Sequence, residues 1–279
     1  MIKHLKLYLV VFATSVLLAI GCMAQPAQSV LWQGNFDPGW EQQWAARILS
    51  GRSNYQIIQD PDMGSALRVN YQPQNFGPNA GFQLYAHLRE ADKLGNAPAE
   101  DLYLRYFLRF SPGFEFVRGG KLPGLIAGRS SEVTGGRHPT GTNGFSARYM
   151  WTSRGRAIVY LYVPEQPSYA PSGQRFGSGI RLDMQPFVPD RWYCLEQRIK
   201  LNTPGEPDGL IQVWLDDQLV AEAEGILFRE NNFQIDGIYF STFYGGNSPD
   251  WAPNGENYID FAQFAVSDRL IGGEEESGV

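Results

Sequence analysis

Two cysteines in 279 residues leave almost no disulfide chemistry. Cys22 sits at the end of an N-terminal apolar run, so only Cys194 lies in the body of the chain, and a lone internal cysteine closes no bridge there. Stability must then come from a packed core. The three histidines, His4, His87 and His138, are scattered. Without zinc-type ligand spacing, no metal and no other cofactor is expected. Asp60-Pro61-Asp62 and Asp216-Asp217 read as turns before they read as calcium ligands. Paired carboxylates are scarce as well. A sandwich-fold glycosidase needs two facing one cleft, about 5–9.5 Å apart, and the nearest pairing, Glu222-x-Glu224, reads as an exposed strand end. Glu196 and Arg198 share a strand face and read as a structural ion pair, with a place in the cleft as the alternative. No Gly-x-Ser-x-Gly elbow occurs.

Long apolar runs are missing too, apart from Leu7 to Ile20, which is uncharged and follows Lys3 and Lys6. That run is too short to span a bilayer and has the anatomy of an export signal. Two processing sites fit. Leu18-Ala19-Ile20-Gly21-Cys22 resembles a bacterial lipoprotein box with Cys22 as the lipidated residue, and Cys22-Met23-Ala24 resembles an ordinary secretory site. The expected organisation is a signal over residues 1–22, one domain over 30–271 and an acidic tail over 272–279. The protein is expected to be exported, either extracellular, periplasmic or held at the outer membrane by a lipid on Cys22, and monomeric.

Helical periodicity is nearly absent; the best short helix is Trp40 to Ala46. What recurs instead are aromatic and β-branched runs, several alternating with period 2: Leu102–Phe110, Gly144–Met150, Ala157–Val163, Trp192–Leu201, Leu210–Leu215 and Ile235–Phe243. Turn residues separate them, among 31 glycines and 18 prolines,. Many short strands without alternating helices predict an all-β chain, two packed antiparallel sheets in a jelly roll.

Charge is unevenly spread. Between Arg118 and Arg156 lie seven basic residues and one acid, Glu132, a net +6 inside a chain whose total is −6. A positive field set in an acidic protein marks a place for an anion, and the acidic whole argues against nucleic acid. Within this segment, residues two apart on a strand share a face. If Ser153-Arg154-Gly155 is a three-residue hairpin loop with Gly155 left-handed, Arg148 lies opposite Tyr160 and Ser146 opposite Tyr162. A two-residue loop would put the pairs on opposite faces. Guanidinium, ammonium, hydroxyl and two phenols together suit elimination at a uronic acid. The C5 proton becomes removable once the neighbouring carboxylate is neutralised, a task for Arg. A phenol beside Lys and Arg is expected to ionise more easily and serve as the base.

These motifs carry a resemblance. Gly119-Gly120-Lys121-Leu122-Pro123-Gly124, Ser146-x-Arg148 leading into Met150-Trp151, and Tyr160-x-Tyr162 resemble polysaccharide lyase family 14, whose members include alginate and glucuronan lyases on a β-jelly roll. Trp192-x-Cys194-x-Glu196, Asn202-Thr203-Pro204 and Phe243-Tyr244-Gly245-Gly246 extend the likeness over residues 30–270. Ile126-Ala127-Gly128 departs from the family's glycine-richer continuation, which bears on polymer preference. The resemblance implies β-elimination on an anionic polysaccharide, with Lys121, Arg148, Tyr160 and Tyr162 catalytic; the Gly- and Pro-rich composition of Gly119–Gly124 predicts that Lys121 arrives from a loop. Ser146, Arg118, Arg137, His138 and Trp151 are expected to bind substrate. The rival reading is a lectin-like module that holds an anionic glycan on surface aromatics (Trp151, Trp251, Tyr244) without cutting it.

Overall fold

The computed structural model describes residues 30–96, 99–164 and 176–272. The export signal, Cys22 and the last seven residues of the acidic tail lie outside them. In chain order the strands are β1 (Val30–Gly34), β2 (Ala46–Ser50), β3 (Tyr55–Asp60), β4 (Gly64–Tyr71), β5 (Phe82–Ala86), β6 (Asp101–Phe110) and β7 (Gly119–Gly128). They continue as β8 (Gly144–Thr152), β9 (Ala157–Tyr162), β10 (Ser178–Arg181), β11 (Trp192–Lys200), β12 (Gly209–Leu215), β13 (Gln218–Ile226), β14 (Gly237–Tyr244) and β15 (Asn257–Ser267). One sheet runs β10-β9-β8-β7-β14-β5-β2; the other runs β13-β12-β11-β6-β15-β4-β3, with β1 also on β15. The strand pairings among the described residues are antiparallel, and two such sheets packed face to face make the jelly roll. All six expected strands are present, their ends displaced by at most two residues.

Alternation decides which side chains meet between the sheets. From the larger sheet come Leu67, Val69, Tyr106, Leu108 and Phe110; from the smaller come Leu122, Leu125, Phe145, Tyr149, Trp151 and Phe240, all fully buried. Tyr106 stacks on Phe264 at 4.7 Å between ring centroids, and Phe110 meets Trp151 edge-on at 6.1 Å. Such rings supply the burial that disulfides do not; Cys194 is free and buried.

The expected helix is cut short. It spans only Trp40–Gln43, because Trp40 and Trp44 both plug the core and Ala45 then turns left-handed at φ 45°. Ala46 already opens β2. On the outer face of the larger sheet, Glu196 pairs with Arg105 at 2.8 Å and accepts the backbone N–H groups of Ile271 and Gly272. Arg198 pairs with Asp101 at 2.7 Å. These are structural groups, remote from the other sheet's concave face.

Gly119–Gly124 corrects the expectation of a loop: it is the start of β7, a central strand between β8 and β14. Pro123 is tolerated there because the register slips between Leu122 and Gly124, a bulge that needs no ladder donor at the proline. The slip also switches parity. Lys121 faces the concave side before it, and Gly124 and Ile126 face that side after it, opposite Arg148 and Ser146. Glycine is required at 124, where a Cβ would come 2.1 Å from the Ala147 carbonyl oxygen.

Candidate active site

The β8–β9 hairpin closes through a three-residue loop, with the Thr152 N–H donating to the Arg156 carbonyl. Gly155 is left-handed at φ 73°, as the register argument requires, and Arg154 joins it at φ 64°. Arg148 therefore lies opposite Tyr160 and Ser146 opposite Tyr162. On β8 the even positions 148 and 150 face the concave side while Tyr149 and Trp151 face the core.

The concave side of the smaller sheet is a cleft of about 1200 Å³, and Lys121, Arg148, Tyr160 and Tyr162 all line it. The Lys121 ammonium nitrogen lies 4.0 Å from the Tyr160 ring centroid and 3.0 Å from the Met150 sulfur. The Arg148 guanidinium carbon is 5.0 Å from the Tyr239 ring centroid. Arg148 donates to Ser241 Oγ at 3.1 Å, and Ser241 in turn donates to Gln83 Oε1 at 3.3 Å. Tyr239 donates to the same Gln83 oxygen at 2.5 Å, so a chain of side chains from β5 and β14 steadies the guanidinium. Its Nε is buried and has no hydrogen-bond partner among the described residues. The hydroxyls of Tyr160 and Tyr162 are 3.5 Å apart, and the Tyr162 oxygen accepts the Gly136 N–H at 3.1 Å.

Electrostatically the site is lopsided. Lys121 and Arg148 are 8% and 3% exposed, yet no carboxylate lies within salt-bridge distance of either among the described residues. Burial, reinforced by the Arg148 charge, pushes the Lys121 amine well below the ordinary lysine range,. Burial raises the Tyr160 phenol above its ordinary value, with the adjacent Tyr162 adding to the rise and Arg148 only partly opposing it. The expected phenolate beside two cations is thus reversed, because desolvation outweighs the attraction. The arrangement holds an amine inclined to be neutral, a phenol inclined to stay protonated, and a fixed guanidinium.

The remaining candidates are dispersed. Ser146 is fully buried and donates to the Val133 carbonyl at 2.8 Å, so its hydroxyl anchors the Ser130–Val133 turn below the cleft surface. Trp151, expected to bind substrate, is a core residue instead: it is fully buried and donates to the Phe116 carbonyl, its odd position turning it away from Arg148. Tyr244 is likewise in the core, 5.3 Å from Trp151. Arg118 is at the rim, paired with Asp250 at 3.2 Å and 6.0 Å from the Trp251 ring. Arg137 and His138 are exposed and outside the cleft lining. Of the surface aromatics proposed for a lectin, Trp251 alone lines the cleft. Among the described residues, no group of acids, histidines and cysteines could hold a metal.

Gln83, Tyr239, Ser241 and Arg47 were not singled out from sequence. Tyr239-x-Ser241-x-Phe243 does alternate along an expected strand, which was the available signal. Gln83 and Arg47 lie in short segments without a comparable pattern.

The sequence model of the polysaccharide lyase 14 family matches residues 59–264. A comparison with curated proteins returns no match. Among solved structures, the PL-14 alginate lyase from Aplysia kurodai is 23% identical, with a TM-score of 0.74 over 85% of this chain and 98% of that one. Alginate lyase Aly36B is 23% identical, with a TM-score of 0.65 over 88% and 98%. The endo-β-1,4-glucuronan lyase from the fungus Trichoderma reesei is 13% identical, with a TM-score of 0.56 over 86% and 95%. At these identities the structures share the fold, whereas the family match spans most of the chain and includes the motifs that line the cleft. The chain belongs to the polysaccharide lyase 14 family.

Proposed function

We propose that this polysaccharide lyase cleaves a uronic-acid polymer of the alginate or glucuronan class by β-elimination in the concave cleft. The observation that carries the reading is charge. In a chain with 29 Asp and Glu, none lines the cleft among the described residues, while Arg47, Lys121, Arg129 and Arg148 do. A buried guanidinium without a carboxylate, beside an amine it discourages from charging, is costly unless an anion arrives, and a uronate carboxylate is such an anion. Solved relatives include Aly36B with an alginate tetrasaccharide bound, which supports the same ligand class here.

Roles follow from the protonation preferences. Arg148, whose guanidinium lines the cleft, donates to the substrate carboxylate and drains charge from it, which acidifies the C5–H. Lys121, its amine favoured as the free base, takes the C5 proton. Electrons from that bond form C4=C5 and the C4–O4 bond breaks; Tyr160, its phenol kept protonated, donates its proton to the departing O4. Tyr162 and the Gly136 N–H position the phenol. The apolar N-terminal run before Gly21-Cys22 supports export, with a lipid on Cys22 as one form.

A panel of polymannuronate, polyguluronate and glucuronan, followed by the ultraviolet absorbance of the new C4=C5 bond, tests the reading. Absorbance rising on at least one polymer is expected. Binding with no absorbance change on any of them would make the protein a lectin-like module instead.

A further inference from the structure

The register pairings of the smaller sheet place Arg47, Tyr85, Tyr239, Gly124, Arg148 and Tyr160 in one row across six adjacent strands, each directly opposite the next. Arg47 is therefore four strands from Arg148. At about 4.8 Å per strand that is up to ~19 Å along the floor, a length of several pyranose rings end to end. Arg47 is not alone at its end of the row. The Tyr85 hydroxyl donates to the Gly128 carbonyl at 2.9 Å, immediately before Arg129, and both Arg47 and Arg129 line the cleft.

Neither guanidinium has a carboxylate within 4.0 Å among the described residues, although Arg52, Arg68, Arg89, Arg109, Arg191 and Arg229 all do. His87, whose ring lies 3.8 Å from that of Tyr85, is occupied by Glu90 at 3.2 Å. Between the two cationic ends, Tyr85 and Tyr239 line the cleft, and Gly124 leaves room for the Arg148 side chain to cross β7 to Ser241 and Tyr239. The row thus repeats the pattern of a polyuronate: a charge, a stretch of ring surface, and a second charge.

We propose that Arg47 and Arg129 form a distal subsite that holds the carboxylate of a uronate several units along the chain from the one bound by Arg148. This rests on the elimination reading of the same cleft. The distal pair makes the protein a reader of polymer length: a chain that fills the row gains an ion pair that a short oligomer cannot reach. Binding so far from the scissile bond favours cleavage inside a chain over trimming at its end.

The test is the ratio of kcat/KM on polymer to kcat/KM on the shortest cleavable oligouronate, in the full-length wild type, Arg47→Ala, Arg47→Glu and Arg129→Ala. An exposed Arg–carboxylate pair contributes up to about 1 kcal/mol, so Arg47→Ala is expected to shrink the ratio about fivefold, chiefly through KM. Arg47→Glu should shrink it further. Arg47 is exposed, so an unaltered melting temperature is expected to accompany the loss. A ratio the same as wild type in both Arg47 variants, with the wild type active, overturns the distal subsite alone. A wild type that forms no unsaturated product from any uronan overturns the elimination reading, and the subsite with it.

Discussion

Replacing Tyr160 with Phe deletes one oxygen from the proposed acid and leaves its ring against Lys121, 4.0 Å from the ammonium. The structural cost is small. The hydroxyl lies 3.5 Å from that of Tyr162, at the outer limit of a hydrogen bond, and also accepts the Gly177 backbone N–H, so its loss costs about 1 kcal/mol. In a domain of this size that lowers the melting temperature by roughly 2–4 °C. The chemical cost is larger: loss of a positioned general acid slows turnover about 10²–10⁴-fold, or roughly 3–5 kcal/mol of barrier. Tyr162→Phe is the internal control. It strands the Gly136 N–H now held at 3.1 Å, so it should cost about 1 kcal/mol or more in stability and impair turnover less than Tyr160→Phe. Initial rates by ultraviolet absorbance, KM and thermal melts on both variants make the comparison. Tyr160→Phe turning over at a rate near wild type, or losing activity only in step with its melting temperature, would refute the assignment of the phenol as acid.

Lys121→Met should abolish most turnover while stabilising the fold, because it removes an amine whose protonation is disfavoured by burial and by Arg148. The folded-state pKa of Lys121 lies below its unfolded value, so wild-type stability rises with pH up to the unfolded lysine range near about 10.4. The stability advantage of Lys121→Met should accordingly shrink between neutral and alkaline pH in thermal melts. For activity, kcat should climb as pH passes the depressed Lys121 value and the free amine appears, and its alkaline fall should come above the ordinary tyrosine range because the Tyr160 pKa is raised; a fall beginning below about 9 would contradict the acid role. Glu196→Ala removes one of the two carboxylates on the buried Arg105, leaving Asp217 at 2.9 Å, and strands the Ile271 and Gly272 N–H groups; it should lower stability by about 1–3 kcal/mol in denaturant unfolding, without a change in kcat of the molecules that remain folded. Gly124→Ala drives a methyl to 2.1 Å from the Ala147 carbonyl and should disturb the β7–β8 register, lowering both soluble yield and activity.

Period-2 alternation was enough to read the strands, and hairpin arithmetic around Gly155 was enough to pair Arg148 with Tyr160 and Ser146 with Tyr162, because both are local properties of the chain. Motifs spaced closely along β7, β8 and β9 also carried the family resemblance, which the family model's match over residues 59–264 bears out. Other outcomes required the folded sheets. Gly119–Gly124 looks like a loop until β8 and β14 flank it, since a strand of Gly and Pro is viable only where neighbouring backbones approach closely and a bulge absorbs the proline. Trp151 and Met150 are adjacent in sequence, yet one is core and the other lines the cleft, a choice made by which face meets the second sheet. Gln83, Tyr239 and Arg47 joined the site from strands distant in sequence, through register alone. The protonation preferences of Lys121 and Tyr160 were the least legible, because sequence shows which charges are neighbours but not how much water is excluded from them, and here desolvation exceeds the neighbouring charge.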